Sequence, residues 1–296
     1  MHEFDLIKRY FQKPAAGSVK IGVGDDAAVL AVPPGYELVV TTDTMVSGVH
    51  FFADVSPATL GHKALAVNLS DLAAMGAQPA WFTLALTLPE AEPEWVDAFA
   101  QGLFLLADSS GITLVGGDTT QGPLSVTITA MGLVPQGQAL TRGGAQTGDL
   151  VFFSGAIGDA AQALADLQKW GQTPTRLRAR LECPTPRLAL GQALRGLATA
   201  CIDVSDGLVQ DLGHILAASG RGAKINLSPF LSGDDYELLF TAPEHSLADV
   251  IAAAVASDCV VTPIGHIQAE AGLHLIDAQG REYQPEKPGF QHFSEP

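Results

Sequence analysis

The sequence has few charged residues, and basic residues are especially scarce. Only 16% of its 296 residues are charged, and 16 Lys and Arg face 32 Asp and Glu, which gives a net charge of −16. Because nucleic-acid binding needs a basic surface for the phosphates, this balance argues against a nucleic acid as a partner. An anionic small molecule stays compatible with the charge if metal ions lie between it and the carboxylates.

Paired cysteines and long apolar runs are also missing. The three cysteines include no Cys-x-x-Cys pair, which argues against a zinc site and against a disulfide framework. The most apolar stretch, 72–88, is interrupted by Gly76, Gln78 and Pro79, so it is too broken to span a membrane. Residues 1–11 form an amphipathic helical pattern without the apolar run of a signal peptide. We therefore expect a cytoplasmic protein without a membrane partner.

Familiar nucleotide-binding and hydrolase motifs are absent as well. The chain has no Gly-x-x-x-x-Gly-Lys-Ser/Thr loop, no Gly-x-Ser-x-Gly elbow, no His-Glu-x-x-His pair and no protein-kinase catalytic loop. Residues 22–27 fit Gly-x-Gly-x-x-Gly/Ala, but a strand and a turn follow where a dinucleotide-binding helix would begin. None of the eight histidines forms an evident metal pair. His50 could be functional, although an isolated histidine is more often structural.

What is present is an alternation of strand and helix patterns, which indicates an α/β or α+β chain. In the first half, the predicted strands are 27–32, 38–42, 81–88, 112–115 and 124–131, and the predicted helices are 57–75 and 93–110. In the second half, strands 150–154, 200–204, 223–227, 236–241 and 273–276 accompany helices 159–169, 186–197, 208–218 and 247–256. Residues 135–148 are the predicted linker between the halves 1–137 and 138–296, and 174–186 is a predicted loop.

Aspartates recur on segments flanked by glycine, serine or threonine. The motifs are Gly24-Asp25-Asp26, Thr41-Thr42-Asp43-Thr44, Asn68-Leu69-Ser70-Asp71, Gly116-Gly117-Asp118-Thr119-Thr120 and Asp203-Val204-Ser205-Asp206-Gly207. Each motif alone has an ordinary explanation as a turn aspartate or a helix cap. Their recurrence in a chain with so few charges favours a shared role. Hard oxygen ligands without Cys or paired His indicate Mg²⁺, Mn²⁺ or Ca²⁺, and the EF-hand spacing is absent.

The positions of three of these aspartates favour metal binding. Asp71 lies near the C-terminal end of a predicted helix, where the helix dipole costs a carboxylate about 0.3–1 kcal/mol unless a cation is present. A carboxylate that caps a neighbouring loop is the alternative. Asp43 and Asp118 follow predicted strands, where α/β enzymes bind ligands, and the two glycines before Asp118 allow a close approach to phosphate. Ordinary turns are the alternative for both.

In chain order, the motifs resemble those of the thiamine-monophosphate kinase family, and they cover the chain from end to end. The matching stretches are 22–29 (GVGDDAAV), 41–51 (TTDTMVSGVHF), 63–77 (KALAVNLSDLAAMGA), 116–120 (GGDTT), 141–149 (TRGGAQTGD), 203–208 (DVSDGL) and 232–238 (SGDDYEL). The stretch 63–77 is the most specific. Aminoimidazole ribonucleotide synthetase and selenophosphate synthetase are similar in their aspartate plan but do not share every motif.

The resemblance implies a two-domain, aminoimidazole ribonucleotide synthetase-like fold in a homodimer. An N-terminal domain, 1–137, would bind ATP and Mg²⁺ and pair its sheet across the dimer, and an α/β domain, 138–296, would complete the nucleotide and substrate site. The implied reaction is direct in-line transfer of the ATP γ-phosphate to thiamine monophosphate with several Mg²⁺ ions. This reaction is the last step of thiamine diphosphate biosynthesis. Another ATP-using member of the superfamily with a different acceptor, and a non-catalytic acidic metal-binding protein, are the alternatives.

The resemblance also implies roles for individual residues. The Mg²⁺ ligands would be Asp26, Thr41, Thr42, Asp43, Asp71, Asp118, Asp203 and Asp206. ATP would contact Gly117, Asp118, Arg142 and Ser205, with Asp71, Asp118 and Arg142 acting in catalysis. The acceptor would contact His50, Asp234 and Phe290, and an aromatic ring packed on a cationic thiazolium is favourable. The alternative is that Phe290 is an aromatic residue of the C-terminal tail that packs into the protein core.

One region departs from the family pattern. Family members usually have a helical stretch before Gly-Gly-Glu-Asp-Tyr-Glu-Leu, whereas here 227–231 runs almost directly into Ser232-Gly233-Asp234-Asp235. Either the chain has a true deletion, or a mobile segment is missing from the sequence. The role of Asp234 in acceptor binding depends on which of the two is correct.

Overall fold

The computed structural model describes residues 3–12, 17–226, 233–284 and 289–292. The chain divides into two compact units. The first unit comprises Met1–Leu72 and Ala77–Gly137, and the second comprises Ala73–Gly76 and Gln138–Pro296. Among the described residues, none of the helices has the length and apolarity that crossing a membrane requires.

The first unit is built on a four-stranded sheet with two long helices. Its helices are α1 (Glu3–Leu6), α2 (Pro57–Ala74) and α3 (Pro93–Ser110), and a π-helical stretch, Ile7–Phe11, follows α1. Its strands are β1 (Val19–Ile21), β2 (Val29–Leu30), β3 (Tyr36–Val46), β4 (Gln78–Leu88), β5 (Thr113–Gln121) and β6 (Ser125–Pro135). Within the described residues, the strand order is β3-β6-β4-β5, with β4 and β5 parallel and the other pairs antiparallel.

The two faces of this sheet differ in burial. Leu65 and Leu69 of α2, Phe99 of α3 and Ile128 of β6 are completely buried, so the core lies on the helical face. The short β1–β2 ribbon contributes Val19 to a smaller cluster that also contains Trp81 and Val115. The alternation of side chains along each strand places the threonine-rich residues of β3 and β6 on the face opposite the helices. This difference decides which motif side chains can meet.

Two strands extend through motifs that the sequence predicted to lie after strands. Strand β3 continues past Asp43 to Val46, and β5 continues through Asp118 to Gln121. The register between β4 and β5 shifts at Phe82/Thr83, which absorbs Val115 as an extra residue in a bulge. Threonine favours strands, and neighbouring strands offer backbone partners here, so pairing overrides the turn signals of glycine and aspartate.

The second unit contains a larger mixed sheet. Its strands are β7 (Leu150–Ser154), β8 (Ala200–Asp203), β9 (Gly222–Asn226), β10 (Leu238–Ala242), β11 (Val261–Gln268), β12 (Gly272–Ile276) and β13 (Glu282–Tyr283). Its helices are α4 (Asp159–Trp170), α5 (Thr175–Glu182), α6 (Leu188–Ala193), α7 (Leu208–Ser219) and α8 (Leu247–Ala256). In the part of the chain that the structure describes, the order is β13-β12-β9-β11-β7-β10-β8, and only β12 and β9 pair in parallel.

Helices cover both faces of this sheet. Val151, Ile202 and Leu239 share one core cluster with Leu212 and Ile215 of α7. The neighbouring residues Phe152, Cys201 and Phe240 belong to another cluster with residues of α6 and α8. Since successive strand residues point to opposite faces, the sheet lies between α7 on one side and α6 with α8 on the other. The predicted α/β fold is therefore confirmed, with the sheet as the middle layer.

The sequence analysis missed three elements of the second unit, namely α5, β11 and the two-residue strand β13. The predicted loop 174–186 contains α5, whose Leu177 and Leu181 are buried one helical turn apart. Strand β11 was missed because Pro263 and Gly265 argue against a strand, and the register shifts between these two residues. The departure at 227–231 lies outside the described residues.

Candidate functional site

In the first unit, the structure brings the motifs of β3 and α2 together. The Thr41 hydroxyl donates a hydrogen bond to Asp71 Oδ2. The Asp43 backbone N–H donates to Asn68 Oδ1 at 3.2 Å, and the buried Asn68 is fixed by its amide bond to Ala64 O at 3.0 Å. The spacing of Asn68 and Asp71 places both on the same face of α2. Thr41, Asp43 and Asp71 therefore form one polar group.

The two carboxylates of this group affect each other's charge. Burial raises the pKa of Asp43 to about 6, and the negative charge of Asp71 adds to the rise. A divalent cation would remove the repulsion and stabilise both ionised carboxylates. Carboxylate and hydroxyl oxygens are the ligands that Mg²⁺ takes in proteins, so the donor set fits this ion.

Thr42 points away from this group. It pairs with Thr129 on β6, and the two hydroxyl oxygens lie 2.9 Å apart on the exposed face of the sheet. Thr41 pairs with the buried Ala130, and Asp43 pairs with the buried Ile128. Since paired residues share a face, the Thr42 side chain lies on the opposite face from Thr41 and Asp43.

Asp118 lies on the far edge of the same sheet. It pairs with Ala85, which pairs with Thr127, so its side chain is on the face opposite Asp43. Strands β3 and β5 are the two edges, which separates the two aspartates by roughly 14 Å across the sheet at the usual strand spacing. Within one chain, Asp118 is therefore not part of the Thr41–Asp43–Asp71 group.

Gly117 is required by the backbone at this edge. Its φ is +155°, and a Cβ there would lie 2.0 Å from the Leu84 carbonyl oxygen. Gly117 and Asp118 border a cavity of about 40 Å³ that is also lined by Phe11 and Leu114. The glycine thus lets β5 run closely along β4 and leaves exposed backbone beside Asp118.

The two remaining candidates of the first unit lie in its loops. Asp26 is exposed between β1 and β2, and its backbone N–H donates to Asp25 Oδ1 at 2.9 Å. His50 closes the turn after β3, because its Nδ1 accepts a bond from the Val46 N–H at 3.0 Å.

Over the residues that the structure describes, neither unit contains a preformed set of ligands for a metal ion. Over residues 3–12, 17–226, 233–284 and 289–292, no group of three or more His, Cys, Asp or Glu side chains is arranged to hold an ion. The two-carboxylate group at Asp43 and Asp71 would therefore need further oxygen ligands, such as substrate phosphate and water. Mg²⁺ is commonly held in this way in phosphoryl-transfer sites.

In the second unit, the Asp203–Gly207 motif forms the turn between β8 and α7. Asp203 ends the buried strand and is 5% exposed. The Gly207 N–H donates to Asp211 Oδ2 at 3.0 Å, which fixes the first turn of α7. Burial raises the pKa of Asp211 to about 7, the Gly207 N–H opposes the rise, and the charge of Asp206 adds to it. The sequence analysis did not identify Asp211. The available signal was an acidic residue inside an otherwise apolar helix.

The same turn collects both acceptor candidates of the second unit. The Asp234 N–H donates to Ser205 O at 2.8 Å, and the Phe290 N–H donates to Asp206 O at 3.0 Å. Gln210 Nε2 bonds both Asp206 Oδ2 at 2.9 Å and Phe290 O at 3.1 Å. The Phe290 ring is 50% exposed. The structure therefore places Ser205, Asp206, Asp234 and Phe290 side by side, and Gln210 is a further residue that the sequence analysis missed.

Arg142 lies on an exposed loop that α7 anchors. Ser219 Oγ accepts bonds from the Gly144 and Ala145 N–H groups at 3.2 and 3.1 Å, and it lies 3.5 Å from Arg142 O. The arginine side chain is exposed, and its charge lowers the pKa of Asp211 as a lesser contribution. The loop thus presents an exposed cation whose charge acts on Asp211 in the first turn of α7.

The fold of this chain is that of a known class of proteins. Residues 24–134 match the family described as AIR synthase related protein, N-terminal domain. This match covers the sheet of the first unit and the motifs at Asp26, Asp43, Asp71 and Asp118. The class defined by the fold and by this match is therefore that of the AIR synthase-related proteins.

Comparison with individual proteins narrows the class to one family. The chain is 44% identical to the thiamine-monophosphate kinase of Escherichia coli (strain K12), and the alignment covers 99% of each chain. It is 47% identical to the thiamine-monophosphate kinase structure from Stenotrophomonas maltophilia K279a, with a TM-score of 0.83 over 87% of this chain and 91% of that one. The chain belongs to the thiamine-monophosphate kinase family.

Family membership settles the type of protein. The chain is an enzyme of the thiamine-phosphate kinase class, so the alternative of a non-catalytic acidic metal-binding protein is wrong. A structure of AaThiL complexed with AMPPCP and TMP is also similar, with 29% identity and a TM-score of 0.76 over 98% of this chain and 96% of that one. The alignment with the E. coli enzyme extends over 322 positions, more than the 296 residues here, so that relative has residues without a counterpart in this chain.

Proposed function

We propose that this enzyme transfers the γ-phosphate of ATP directly to the phosphate of thiamine monophosphate, giving thiamine diphosphate and ADP. This would be the last step of thiamine diphosphate biosynthesis. The observation that carries the proposal is the pair of neighbouring carboxylates, Asp43 and Asp71, with the Thr41 hydroxyl bonded to Asp71. The full-length similarity to thiamine-monophosphate kinases supports the choice of acceptor.

This pair of carboxylates explains how two polyanions, ATP and thiamine monophosphate, could bind next to each other on an acidic protein. Asp43, Asp71 and the Thr41 hydroxyl would hold one Mg²⁺ together with phosphate oxygens. Asp26, Asp118 and Thr42 lie elsewhere on the first unit, and Asp203 and Asp206 lie in the second unit, so these residues would be ligands of other Mg²⁺ ions. Bound Mg²⁺ would neutralise the phosphates and orient an in-line displacement. The raised pKa of Asp43 supports this role, because the pair is poorly compensated without a cation.

The protein's own residues would mainly bind and orient the substrates. Arg142, on its anchored loop, would bind ATP phosphate oxygens, as guanidinium groups do, and Gly117 and Ser205 would offer polar backbone or hydroxyl groups. His50, Asp234 and the exposed Phe290 ring would bind the acceptor, the ring by packing on the thiazolium. The attacking phosphate oxygen is largely ionised near neutral pH, so no strong general base is required.

A homodimer is part of the proposal. Leu38 and Val40 on the open face of β3 are 44% and 55% exposed, and Val46 is 36% exposed. An apolar, partly threonine-lined sheet face of this kind is typical of a surface that another subunit covers. We propose that two first units pair through it.

The decisive experiment measures ADP release from ATP and Mg²⁺ with and without thiamine monophosphate, and identifies the second product by chromatography. We expect ADP formation that depends on the acceptor and yields an equal amount of thiamine diphosphate. ATP binding without acceptor-dependent turnover would overturn the proposed acceptor and favour another ATP-using reaction of the superfamily. Omission of Mg²⁺ with added EDTA is the matched control, and it should abolish turnover.

A further inference from the structure

A cluster of four charged side chains adjoins Asp234, and the proposed function gives these side chains no role. Its members are Asp235, Glu237, Arg180 and Arg187. Asp235 is 1% exposed and Glu237 is 0% exposed, whereas both arginine side chains are 19% exposed. Buried charges are rare unless they are fully paired, so this cluster needs an explanation.

Glu237 is the centre of the cluster. Arg187 binds it with two hydrogen bonds, from Nε to Oε2 and from Nη2 to Oε1, both at 2.6 Å. Arg180 Nη2 donates to Oε1 at 2.8 Å, and the Ser154 hydroxyl donates to Oε2 at 2.6 Å. A Cβ on residue 155 would lie 2.1 Å from Oε1, so this packing requires Gly155. Both oxygens are thus saturated by fixed donors.

Asp235 ties two loops together. Its Oδ1 accepts a bond from the Gly158 N–H at 2.9 Å, and its Oδ2 accepts one from the Gly233 N–H at 3.1 Å. Arg180 Nη2 strengthens the same link, because it donates to Ala156 O at 3.2 Å and lies 3.5 Å from Asp235 O. These bonds therefore tie loop 155–158 to the segment 233–237 and hold that segment in place.

The supported segment has an unfavourable backbone. Asp234 and Tyr236, on either side of Asp235, have φ values of 56° and 51°, in the left-handed region that non-glycine residues rarely adopt. Such conformations persist where the surroundings hold them, and they concentrate at functional sites. Here the Asp234 N–H also bonds Ser205 O at 2.8 Å, which fixes Asp234 against the Asp203–Gly207 turn.

We propose that Asp235, Arg180 and Glu237 are positioning residues that hold Asp234 in place for binding the phosphorylated, thiazolium-bearing acceptor. This inference rests on the proposed function, in which Asp234 contacts the acceptor. The three residues do not touch the substrate. They act through the loop contacts that keep Asp234 and Tyr236 in their left-handed conformations.

The test compares Asp235→Asn and Arg180→Lys with the wild-type enzyme in steady-state kinetics. The Asn amide offers one acceptor where Asp offers two, so either Gly158 or Gly233 loses its partner. Lysine keeps the charge of Arg180 but cannot reach its three acceptors together. We expect the KM for thiamine monophosphate to rise about tenfold in each variant, as for a lost bond to a charged group. The KM for ATP should change less than about twofold.

Glu182→Gln is the matched control, because Glu182 lies on the same helix as Arg180 and forms a partly exposed pair with Arg178. It should leave both KM values unchanged. A purely structural role would lower thermal stability and the active fraction without a selective effect on the acceptor. Equal changes in both KM values, or none, would therefore overturn the proposal.

Hydrogen–deuterium exchange provides a readout that does not require turnover. In Asp235→Asn and Arg180→Lys, peptides covering 155–158 and 233–237 should exchange faster, whereas peptides from α8 should not. Unchanged exchange in both segments would contradict the supporting role of the cluster even if one variant folds poorly. If the wild-type enzyme makes no thiamine diphosphate, the proposed function fails, and the exchange data still decide whether the cluster holds the loop.

Discussion

Asp43 and Asp71 show how single side chains give an acidic protein a site for anionic substrates. Each aspartate alone could be a turn residue or a cap, and the sequence motifs did not establish that the two lie together. The Thr41 bond to Asp71 and the Asn68 bond to the Asp43 backbone bring them onto one face of the sheet. Their mutual repulsion is what a bound cation would relieve.

The first prediction concerns Asp71→Asn. The isosteric amide keeps the size of the side chain and can still accept the Thr41 bond, but it removes one negative charge from the proposed metal group. We expect turnover to fall by at least about a hundredfold, the loss found for key charge-stabilising groups, with the fold intact by circular dichroism.

Asp97→Asn is the control for this prediction, since Asp97 is an exposed residue of α3 whose Oδ2 accepts a bond from Gln101 Nε2 within the helix. It should keep full activity. Near-normal activity of Asp71→Asn at saturating Mg²⁺ would show that the carboxylate pair is not a metal group.

The second prediction concerns Phe290→Ala. The backbone of Phe290 is fixed by bonds to Asp206 and Gln210, which do not depend on the ring, so truncation should leave the segment in place. Loss of the ring should raise the KM for thiamine monophosphate about fivefold, as for a cation–π contact of about 1 kcal/mol, with little effect on the KM for ATP. Trp170→Ala removes another exposed ring as a control. An unchanged acceptor KM would remove Phe290 from the site.

At the scale of elements, most helices and strands could be predicted because their patterns are strongly periodic. Helix α3 was predicted with the bounds observed, Pro93–Ser110, from Pro at its start and Gly at its end. The positions of Asp43 and Asp118 within strands could not be predicted. Glycine and aspartate favour turns locally, and only pairing with neighbouring strands that are distant in sequence turns these segments into strands.

The candidate site was predictable to a similar extent. The motifs named the candidate residues, but they did not show which of these residues lie together. The sheet face on which the Thr42 and Asp118 side chains lie depends on the register of their strands with β6 and β4. The sequence analysis also did not identify Asp211 or Gln210 as residues that support the Asp203–Gly207 turn and Phe290, although Asp211 is an acidic residue inside an apolar helix. Their roles arise from contacts of α7 with the turn before it and with Phe290.

The third prediction concerns the first turn of α7 and pH. Burial raises the pKa of Asp211 to about 7 in the folded chain, well above the usual range of an aspartate, so folding favours the protonated acid. The stability that protonation provides is present at low pH and is lost as pH rises through about 7. Asp211→Asn imitates the neutral acid and keeps an acceptor for the Gly207 N–H. Above pH 7.5 it should be more stable than wild type by on the order of 1–3 kcal/mol.

Urea denaturation between pH 5 and 8.5, in EDTA, measures this effect. The advantage of the variant should shrink toward pH 5, where the wild-type carboxyl is protonated. Asp249→Asn, at an exposed position on α8, should follow the wild-type curve throughout. Parallel curves for Asp211→Asn and wild type would mean that Asp211 does not titrate in this range.

At the scale of the whole molecule, the fourth prediction tests the homodimer. A lysine at position 40 would place a charge in the middle of the exposed apolar face of β3, where Val40 is 55% exposed. We expect the wild-type enzyme to sediment as a dimer at micromolar concentration and Val40→Lys to sediment as a monomer. Val255→Lys changes a 73% exposed valine of the second unit and should leave the dimer intact. A monomeric wild type, or a dimeric Val40→Lys, would argue against this surface.

The boundary between the two units lies inside α2, and this limits how the protein can be taken apart. Ala73 and Ala74, at the end of that helix, belong to the same core cluster as Leu140 and Leu190, and Met75 O accepts the Leu140 N–H at 3.1 Å. A gene fragment that starts at residue 138 would therefore encode a second unit with part of its interior missing. Proteolysis in 135–148 would nick the chain without freeing a complete half. Domain swaps with relatives should transfer residues 73–76 together with the C-terminal segment.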